Sequence, residues 1–155
     1  MLVMKFGGTS VGNAARIREV AEIIRSRLSE KPVVVVSAVG GITDKLINAT
    51  RKCAAGEKCE NELKEIESIH QTILSDLGLD KSLLQGELKS FREIIRSNQN
   101  NPFDAQQMDV IQSFGERMSV KILAAHLSDS GMPAKAFPAW DIGMITNDRT
   151  NFAHC

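Results

Sequence analysis

With 155 residues, the chain has room for one ordinary domain with a hydrophobic core. Its 19 basic and 19 acidic residues cancel, so the charge does not favour nucleic acid or an anionic membrane surface as a partner. The sequence has no apolar run long enough to span a bilayer. Arg16 and Arg18 interrupt the N-terminal region before any signal-peptide cleavage site. We therefore expect a globular, cytoplasmic protein that binds neither nucleic acid nor membrane.

The three cysteines are Cys53, Cys59 and Cys155, and no two of them form a CxxC pair. This spacing does not favour a structural zinc site, so we expect reduced thiols. The adjacent His154 and Cys155 leave open a pair of metal ligands at the chain end, which two neighbouring residues support only weakly.

The first 36 residues predict a strand, a helix and a second strand. Leu2 to Phe6 is short, apolar and followed by two glycines, which is typical of a strand and a turn. From Ala14 to Leu28, apolar residues recur at helical spacing, and Lys31-Pro32 ends this helix. The four valines from Val33 to Val36 show no polar alternation, which predicts a strand covered on both faces, as in a parallel sheet.

The rest of the chain predicts further helices and then two short strands. The helical patterns cover Thr43–Ala55, Leu63–Leu77, Leu84–Ile95 and a long segment that follows Asp104. Asp104 with Gln107 resembles a capping box, and Gly131 and Pro133 stop the helix that it opens. Short strands are predicted over Ala134–Pro138 and Ile142–Thr146. The sequence therefore predicts an α/β domain with helices inserted between its second and third strands.

The turn after the first strand combines adjacent glycines with a lysine and two hydroxyls: Lys5, Gly7, Gly8, Thr9 and Ser10. It matches neither a Walker A loop nor a GxGxxG loop. Its glycines nevertheless let the backbone approach a ligand, and a helix that begins near Asn13 adds a partial positive charge. This combination suits phosphoryl oxygens. A plain strand-to-helix turn with an exposed lysine explains the same residues equally well.

The turn after the second strand, Ser37 to Thr43, again carries hydroxyls and glycines. Ser37 and Thr43 are candidates for capping the following helix and, alternatively, for binding a ligand. Ligands of open α/β sheets bind beyond the carboxyl ends of the strands. Two such turns on neighbouring strands therefore favour one shared crevice.

Glu116 lies within Ser113–Ser119, an otherwise apolar helical stretch, so we expect it to be partly buried. A partly buried carboxylate needs a partner. Arg117 or another arginine would supply an ion pair, which the spacing alone favours, and the ammonium group of a ligand is the alternative.

Four stretches resemble, in order, motifs of the aspartokinases in the amino acid kinase superfamily: Val3–Gly12, Val33–Leu46, Ser113–Leu127 and, less specifically, Gly143–Asp148. Carbamate, acetylglutamate and uridylate kinases share the first motif more loosely. The resemblance implies a three-layer, parallel-sheet α/β fold of the amino acid kinase type with inserted helices. Residues 1–155 would form its N-terminal part, which binds the amino-acid substrate and phosphate. The nucleotide-binding half and the regulatory ACT domains would lie outside this chain.

The resemblance also implies a reaction, in which ATP phosphorylates the side-chain carboxylate of L-aspartate to give 4-phospho-L-aspartate and ADP. This step opens the route to lysine, threonine and methionine. Lys5 would be catalytic and contact the transferred phosphoryl group, while the phosphates would be lined by Lys5, Gly7, Gly8, Thr9 and Ser10. Ser37 and Thr43 would hold aspartate, and Glu116 would bind its α-ammonium group. Mg²⁺ is expected on the phosphates.

This resemblance leaves several expectations open. The aromatic residue that the family places soon after the fourth motif would be Phe152, shifted by a position or two. We expect the chain to be inactive alone, and to form a homo-oligomer or pair with a missing second half, because half a sheet leaves a strand edge exposed. A non-catalytic binding subunit derived from such a kinase is the alternative, and another amino acid kinase is a third, less favoured reading.

Overall fold

A computed structural model describes residues 1–144 of the chain. The elements in chain order are β1 (Val3–Phe6), α1 (Ala14–Ser26), β2 (Val33–Val36), α2 (Ile42–Ala54), α3 (Glu60–Leu77), α4 (Gln85–Ser97) and α5 (Ala105–Asp129). Short 3₁₀ turns cover Gly8–Val11, Leu28–Glu30 and Ala139–Ile142. The predicted α/β class, the first two strands and all five helices are confirmed.

β1 and β2 pair in parallel, with Val3 opposite Val33 and Phe6 opposite Val36. Side chains of a strand alternate between two faces. One face packs on the helices through Met4, Phe6, Val34 and Val36. On the other face Val3, Val33 and Val35 are 58%, 44% and 44% exposed. The prediction that Val33–Val36 is covered on both faces is therefore wrong for the described residues, because their helices lie against only one face.

The longest helix, α5, runs through the core and contacts β2 and the helices α1, α2 and α4. Its buried stripe consists of Ile111, Phe114, Met118, Ile122, Leu123 and Leu127. The predicted capping box is confirmed, because the Asp104 carboxylate accepts a hydrogen bond from the Gln107 amide at 2.7 Å and the Gln107 side chain accepts one from the Asp104 amide at 2.9 Å. These bonds satisfy two amides at the start of the helix.

Two arginines of α1 connect this helix to the ends of helices that are distant in sequence. Arg25 Nη2 donates to the carbonyl of Ser130, the C-cap of α5, at 2.9 Å. Arg18 donates in the same way to the carbonyl of Asp76 in the last turn of α3. A cation at a helix C-terminus meets unpaired carbonyls and the negative end of the helix dipole, so both contacts stabilise the packing of α1.

The segment after α5 differs from the prediction. Residues 134–138 form no strand, and the 3₁₀ turn Ala139–Ile142 follows them. Pro133 and Pro138 at the ends of this segment have no N–H group to donate to a sheet ladder, which explains why the apolar pattern alone was misleading. In the other predicted strand, Ile142 belongs to the 3₁₀ turn, while residues 145 and 146 lie outside the described residues, as do Phe152, His154 and Cys155.

Cys53 and Cys59 are free and buried, as predicted for reduced thiols. Burial and the neighbouring Cys53 raise the pKa of the Cys59 thiol to about 11. Within residues 1–144, none of the helices combines the length and the hydropathy that crossing a membrane requires.

His70 is the one histidine of the described residues that is fully buried, on the inner face of α3. Its Nδ1 lies 2.7 Å from the carbonyl of Ile66, which can only accept, so Nδ1 carries the proton. Nε2 has no hydrogen-bond partner within residues 1–144. Burial lowers the pKa of His70 from its ordinary value.

This lowered pKa predicts that the fold loses stability in mild acid. Below about pH 6.5 the unfolded chain binds a proton on His70 more readily than the folded chain does, so the free energy of unfolding falls as pH decreases from about 7 to 5. His70→Leu should flatten this dependence in urea unfolding measured at both pH values. The matched control His126→Leu should flatten it less, since His126 is only half-buried. An unchanged pH dependence in His70→Leu would contradict the assignment.

Candidate active site

The turns that follow β1 and β2 lie against each other at the carboxyl edge of the sheet. The Ser37 amide donates to the carbonyl of Phe6 at 3.1 Å, and the Gly40 amide donates to the carbonyl of Gly8 at 3.1 Å. A Cβ atom added to Gly8 would lie 2.7 Å from the carbonyl oxygen of Ala38. The two turns are therefore in direct contact, and only glycine at position 8 allows them to come this close.

The first turn is longer than the sequence suggested. Gly8–Val11 forms a 3₁₀ turn, in which the Ser10 amide donates to the carbonyl of Gly7 at 2.9 Å. Only then does α1 begin, with Asn13 as its N-cap accepting from the Arg16 amide at 3.0 Å. The positive end of α1 thus lies one turn beyond the glycines, and Asn13 already satisfies one of its amides. Lys5 and Gly7 are exposed.

In the second turn, the hydroxyls do not cap the helix that follows. The N-cap of α2 is Gly41, which has a left-handed backbone with φ +79° and makes no side-chain cap bond. Ser37 and Thr43 are half-buried beside it. The capping explanation for these two residues is therefore wrong, and their hydroxyls remain available to a ligand.

The helix α5 brings the third motif to the same place. A Cβ atom on Gly115 would lie 2.6 Å from Cβ of Ala38, so the helix backbone packs directly on the second turn. Glu116, the next residue, is exposed. The expectation that Glu116 is partly buried is wrong, because successive helical residues point about 100° apart and Gly115 occupies the buried direction.

Glu116 does not form the ion pair with Arg117 that its spacing favoured. Within residues 1–144 it has no cationic partner within 4 Å. Arg117 instead lies 3.8 Å from Glu87 of α4 and stacks on the rings of Phe114 and Trp140, with 4.4 and 5.8 Å to their centroids. The arginine is thus occupied elsewhere, and the Glu116 carboxylate is open to a ligand.

The sequence did not indicate Glu87 as a special residue. It is buried on α4, and its Oε1 lies 2.5 Å from Nζ of Lys121. Its Oε2 is buried and has no hydrogen-bond partner within residues 1–144. The available signal was its spacing, three residues after Leu84 and four before Phe91, which places it on the apolar stripe of α4, where a carboxylate requires nearby cations.

The other candidate side chains are also unoccupied. Across the described residues, neither an internal hydrogen bond nor an ion pair engages the side-chain polar groups of Lys5, Thr9, Ser10, Ser37 and Thr43. Most polar side chains with structural roles in this fold are paired, as the contacts of Asn13 and Asp104 show. A cation, a carboxylate and several hydroxyls of the three motifs are therefore without structural partners among residues 1–144.

Two deeper cavities lie elsewhere. One, of about 380 Å³, lies between the end of α1, the inner face of β2 and α5, and the other, of about 660 Å³, lies between α3 and α4. None of the candidate residues lines either cavity. The junction of the turns is therefore identified as the candidate site by its chemistry, and not by either of these cavities.

Comparison with known proteins identifies relatives of the whole chain. The sequence profile of the Amino acid kinase family matches residues 1–154. Aspartokinase 2, chloroplastic, of Arabidopsis thaliana is 34% identical over 151 residues, which cover 94% of this chain and 28% of the relative. The aspartokinase of Chlamydia muridarum is 36% identical over 128 residues, which cover 81% of this chain and 27% of the relative.

Solved structures give the same result. The fold is similar to E. coli aspartokinase III in complex with aspartate and ADP, with a TM-score of 0.83 at 27% identity, over 99% of this chain and 34% of that one. Clostridium acetobutylicum aspartate kinase matches with a TM-score of 0.70 at 25% identity, over 83% of this chain and 29% of that one. The chain thus spans about a third or less of the length of these relatives.

The two adjacent glycines of the first turn should differ sharply in their tolerance of a side chain. Gly8→Ala should lower the free energy of unfolding by about 1–3 kcal/mol, because its Cβ would overlap the carbonyl of Ala38. Gly7→Ala is the matched control, since an added Cβ meets nothing within 4 Å and φ is −77°. It should leave stability unchanged or raise it by up to about 1 kcal/mol. Equal effects of both changes in urea unfolding would contradict the close approach of the turns.

Proposed function

Since this chain belongs to the amino acid kinase family, we propose that it forms the aspartate- and phosphate-binding part of an aspartokinase. The reaction is transfer of the terminal phosphoryl group of ATP to the side-chain carboxylate of L-aspartate, which yields 4-phospho-L-aspartate and ADP. The observation that carries the proposal is the meeting of three motifs at Ala38, since Gly8 of the first turn and Gly115 of α5 both pack on it, while Lys5 and Glu116 of the same motifs are exposed. The similar E. coli enzyme was solved with aspartate and ADP.

The first turn suits the phosphates. Lys5 is exposed near the carboxyl end of β1 and supplies a positive charge for the transferred phosphoryl group. The backbone of Gly7 and Gly8 allows phosphate oxygens to approach closely, and the hydroxyls of Thr9 and Ser10 supply donors. Phosphoryl transfer depends mainly on positioning and charge stabilisation, so this set of groups needs no covalent step of its own.

The second turn and α5 suit the amino acid. The hydroxyls of Ser37 and Thr43 can donate to a carboxylate of aspartate, and the carboxylate of Glu116 can accept from its α-ammonium group. The two ends of the substrate would therefore meet groups of different character, hydroxyls of the second turn and a carboxylate of α5.

Magnesium enters this proposal as part of the substrate MgATP. Among residues 1–144, no group of three His, Cys, Asp or Glu side chains is placed to hold a metal ion. Phosphate oxygens can carry Mg²⁺ with few protein ligands. Adenine binding, further metal ligands and the regulatory ACT domains are assigned to sequence outside this chain, and inactivity of the chain alone stays a prediction.

Association with a second chain is a further candidate function. The outer face of the sheet exposes Val3, Val33 and Val35, and β2 has no strand on its other edge within residues 1–144. Such a surface favours a homo-oligomer or pairing with a separate second half. A cytoplasmic location also stays a prediction, since the Arabidopsis relatives are named chloroplastic.

Ligand titration of the ¹⁵N-labelled chain by NMR tests the assigned roles. L-aspartate should shift the amides of the second turn and of Gly115 and Glu116. Glu116→Gln should weaken aspartate binding about 10- to 100-fold, because it removes a charge-assisted bond to the ammonium group. MgATP binding should change by less than about twofold in the same variant.

Two further variants make this test specific. Lys5→Met should show the reverse pattern and weaken MgATP far more than aspartate. Glu93→Gln, at another exposed glutamate, should change neither affinity. Equal effects of Glu116→Gln on both ligands would remove Glu116 from the substrate site, and a wild-type chain that shows no shifts with aspartate would overturn the proposed function.

A further inference from the structure

We propose that the contact between Ala38 and Gly115 is a spacer, which sets the distance between Glu116 and the phosphate turn, the turn that follows β1. This distance selects aspartate over its longer homologue glutamate. The inference rests on the proposed function and adds two positioning residues to it. Neither residue offers a polar side chain to a ligand, so their effect would be exerted through the groups beside them.

Ala38 is buried and is contacted from two sides. Its carbonyl oxygen faces Gly8, where an added Cβ would lie at 2.7 Å, and its methyl group faces Gly115, where an added Cβ would lie at 2.6 Å. The bond from the Gly40 amide to the Gly8 carbonyl, at 3.1 Å, prevents the first turn from moving away independently. A single methyl group therefore separates the phosphate turn from the backbone of α5.

Each contact residue is the direct neighbour of a proposed ligand-binding residue. Ala38 follows Ser37, and Gly115 precedes Glu116. The position of α5 is also fixed at its C-terminal end, where Arg25 binds the carbonyl of Ser130 at 2.9 Å. A change in the separation of Ala38 and Gly115 would therefore move Glu116 relative to both turns instead of shifting the whole site together.

The displacement that a methyl group on Gly115 would cause is similar to the difference in length between glutamate and aspartate. A methyl group on Gly115 would have to move from 2.6 Å to an ordinary contact of 3.4–4 Å from Ala38, which is a shift of about 1 Å. The side chain of glutamate is longer than that of aspartate by one methylene group. This group adds somewhat less than one C–C bond length, about 1.5 Å, along an extended chain. Widening the spacer by one methyl group should therefore fit the longer amino acid better than the shorter one.

The clash is specific to one partner, which allows a rescue experiment. The added Cβ would lie 3.5 Å from Leu46 and 3.6 Å from Ile42, and these are ordinary contacts. Only the methyl group of Ala38 would have to give way. Removing that methyl group by Ala38→Gly should therefore restore the spacing in a chain that carries Gly115→Ala.

The test compares the wild-type chain, Gly115→Ala, Ala38→Gly and the double variant by NMR titration with L-aspartate and L-glutamate. Gly115→Ala should weaken aspartate binding about tenfold or more and glutamate binding by less than about threefold, so that the selectivity for aspartate falls. The double variant should regain the wild-type aspartate affinity within about threefold, since the two changes act through one contact. Relief of the clash would restore stability as well as affinity, so the readout that separates the two explanations is the ratio of the aspartate and glutamate affinities, which a general loss of stability would not change.

Two results would overturn the inference. One is a folded Gly115→Ala chain that keeps the wild-type selectivity for aspartate, and the other is a double variant whose aspartate affinity stays as low as that of Gly115→Ala. If Gly115→Ala does not fold, Ala38→Gly alone carries the test, because removing the spacer should change the ratio of the two affinities, and an unchanged ratio contradicts the proposal. A wild-type chain that binds no aspartate would instead refute the proposed function and the spacer with it.

Discussion

The close packing of three backbone segments around Ala38 is the constraint on which the candidate site depends. Gly8 and Gly115 have no side chain, and this absence lets a turn and a helix approach the same alanine from two sides. Any Cβ at either position would force backbone atoms apart, which a close-packed interior resists. The polar groups around the junction inherit their spacing from this packing and not from bonds among themselves.

The charges of α5 are divided between structure and ligand binding. Arg117 and Lys121 both approach the buried Glu87 of α4, and Arg117 is further held against Phe114 and Trp140. A buried carboxylate beside two cations is costly to disrupt, so these residues fix α5 against the inserted helices. Because the neighbouring cation is occupied in this way, Glu116 keeps a free carboxylate on the exposed side of the same helix.

Local patterns predicted most of the fold, while features that depend on distant packing were harder to infer. The stripe of α3 and the capping box at Asp104 are local, and both were predicted correctly. Exposure of Glu116 depends on where Gly115 meets Ala38, and that contact joins motifs more than seventy residues apart. Exposure of Val35 likewise depends on which layers surround the sheet, and four consecutive valines do not carry that information. The candidate site residues were found by motif order, since hydroxyls and glycines in turns also serve as ordinary caps.

The arginine contacts of α1 bear on how the chain reaches this structure. Arg25 meets its carbonyl partner at Ser130, 105 positions later. At synthesis rates of about 5–20 residues per second, that partner emerges from the ribosome roughly 5–20 s after Arg25. The end of α1 that carries Arg25 is therefore anchored only after α5 has been made, whereas Arg18 can reach the carbonyl of Asp76 earlier. Contacts of such long sequence separation slow folding, so the part of α1 that packs on α5 is exposed to chaperones, and to aggregation, until α5 has been synthesised.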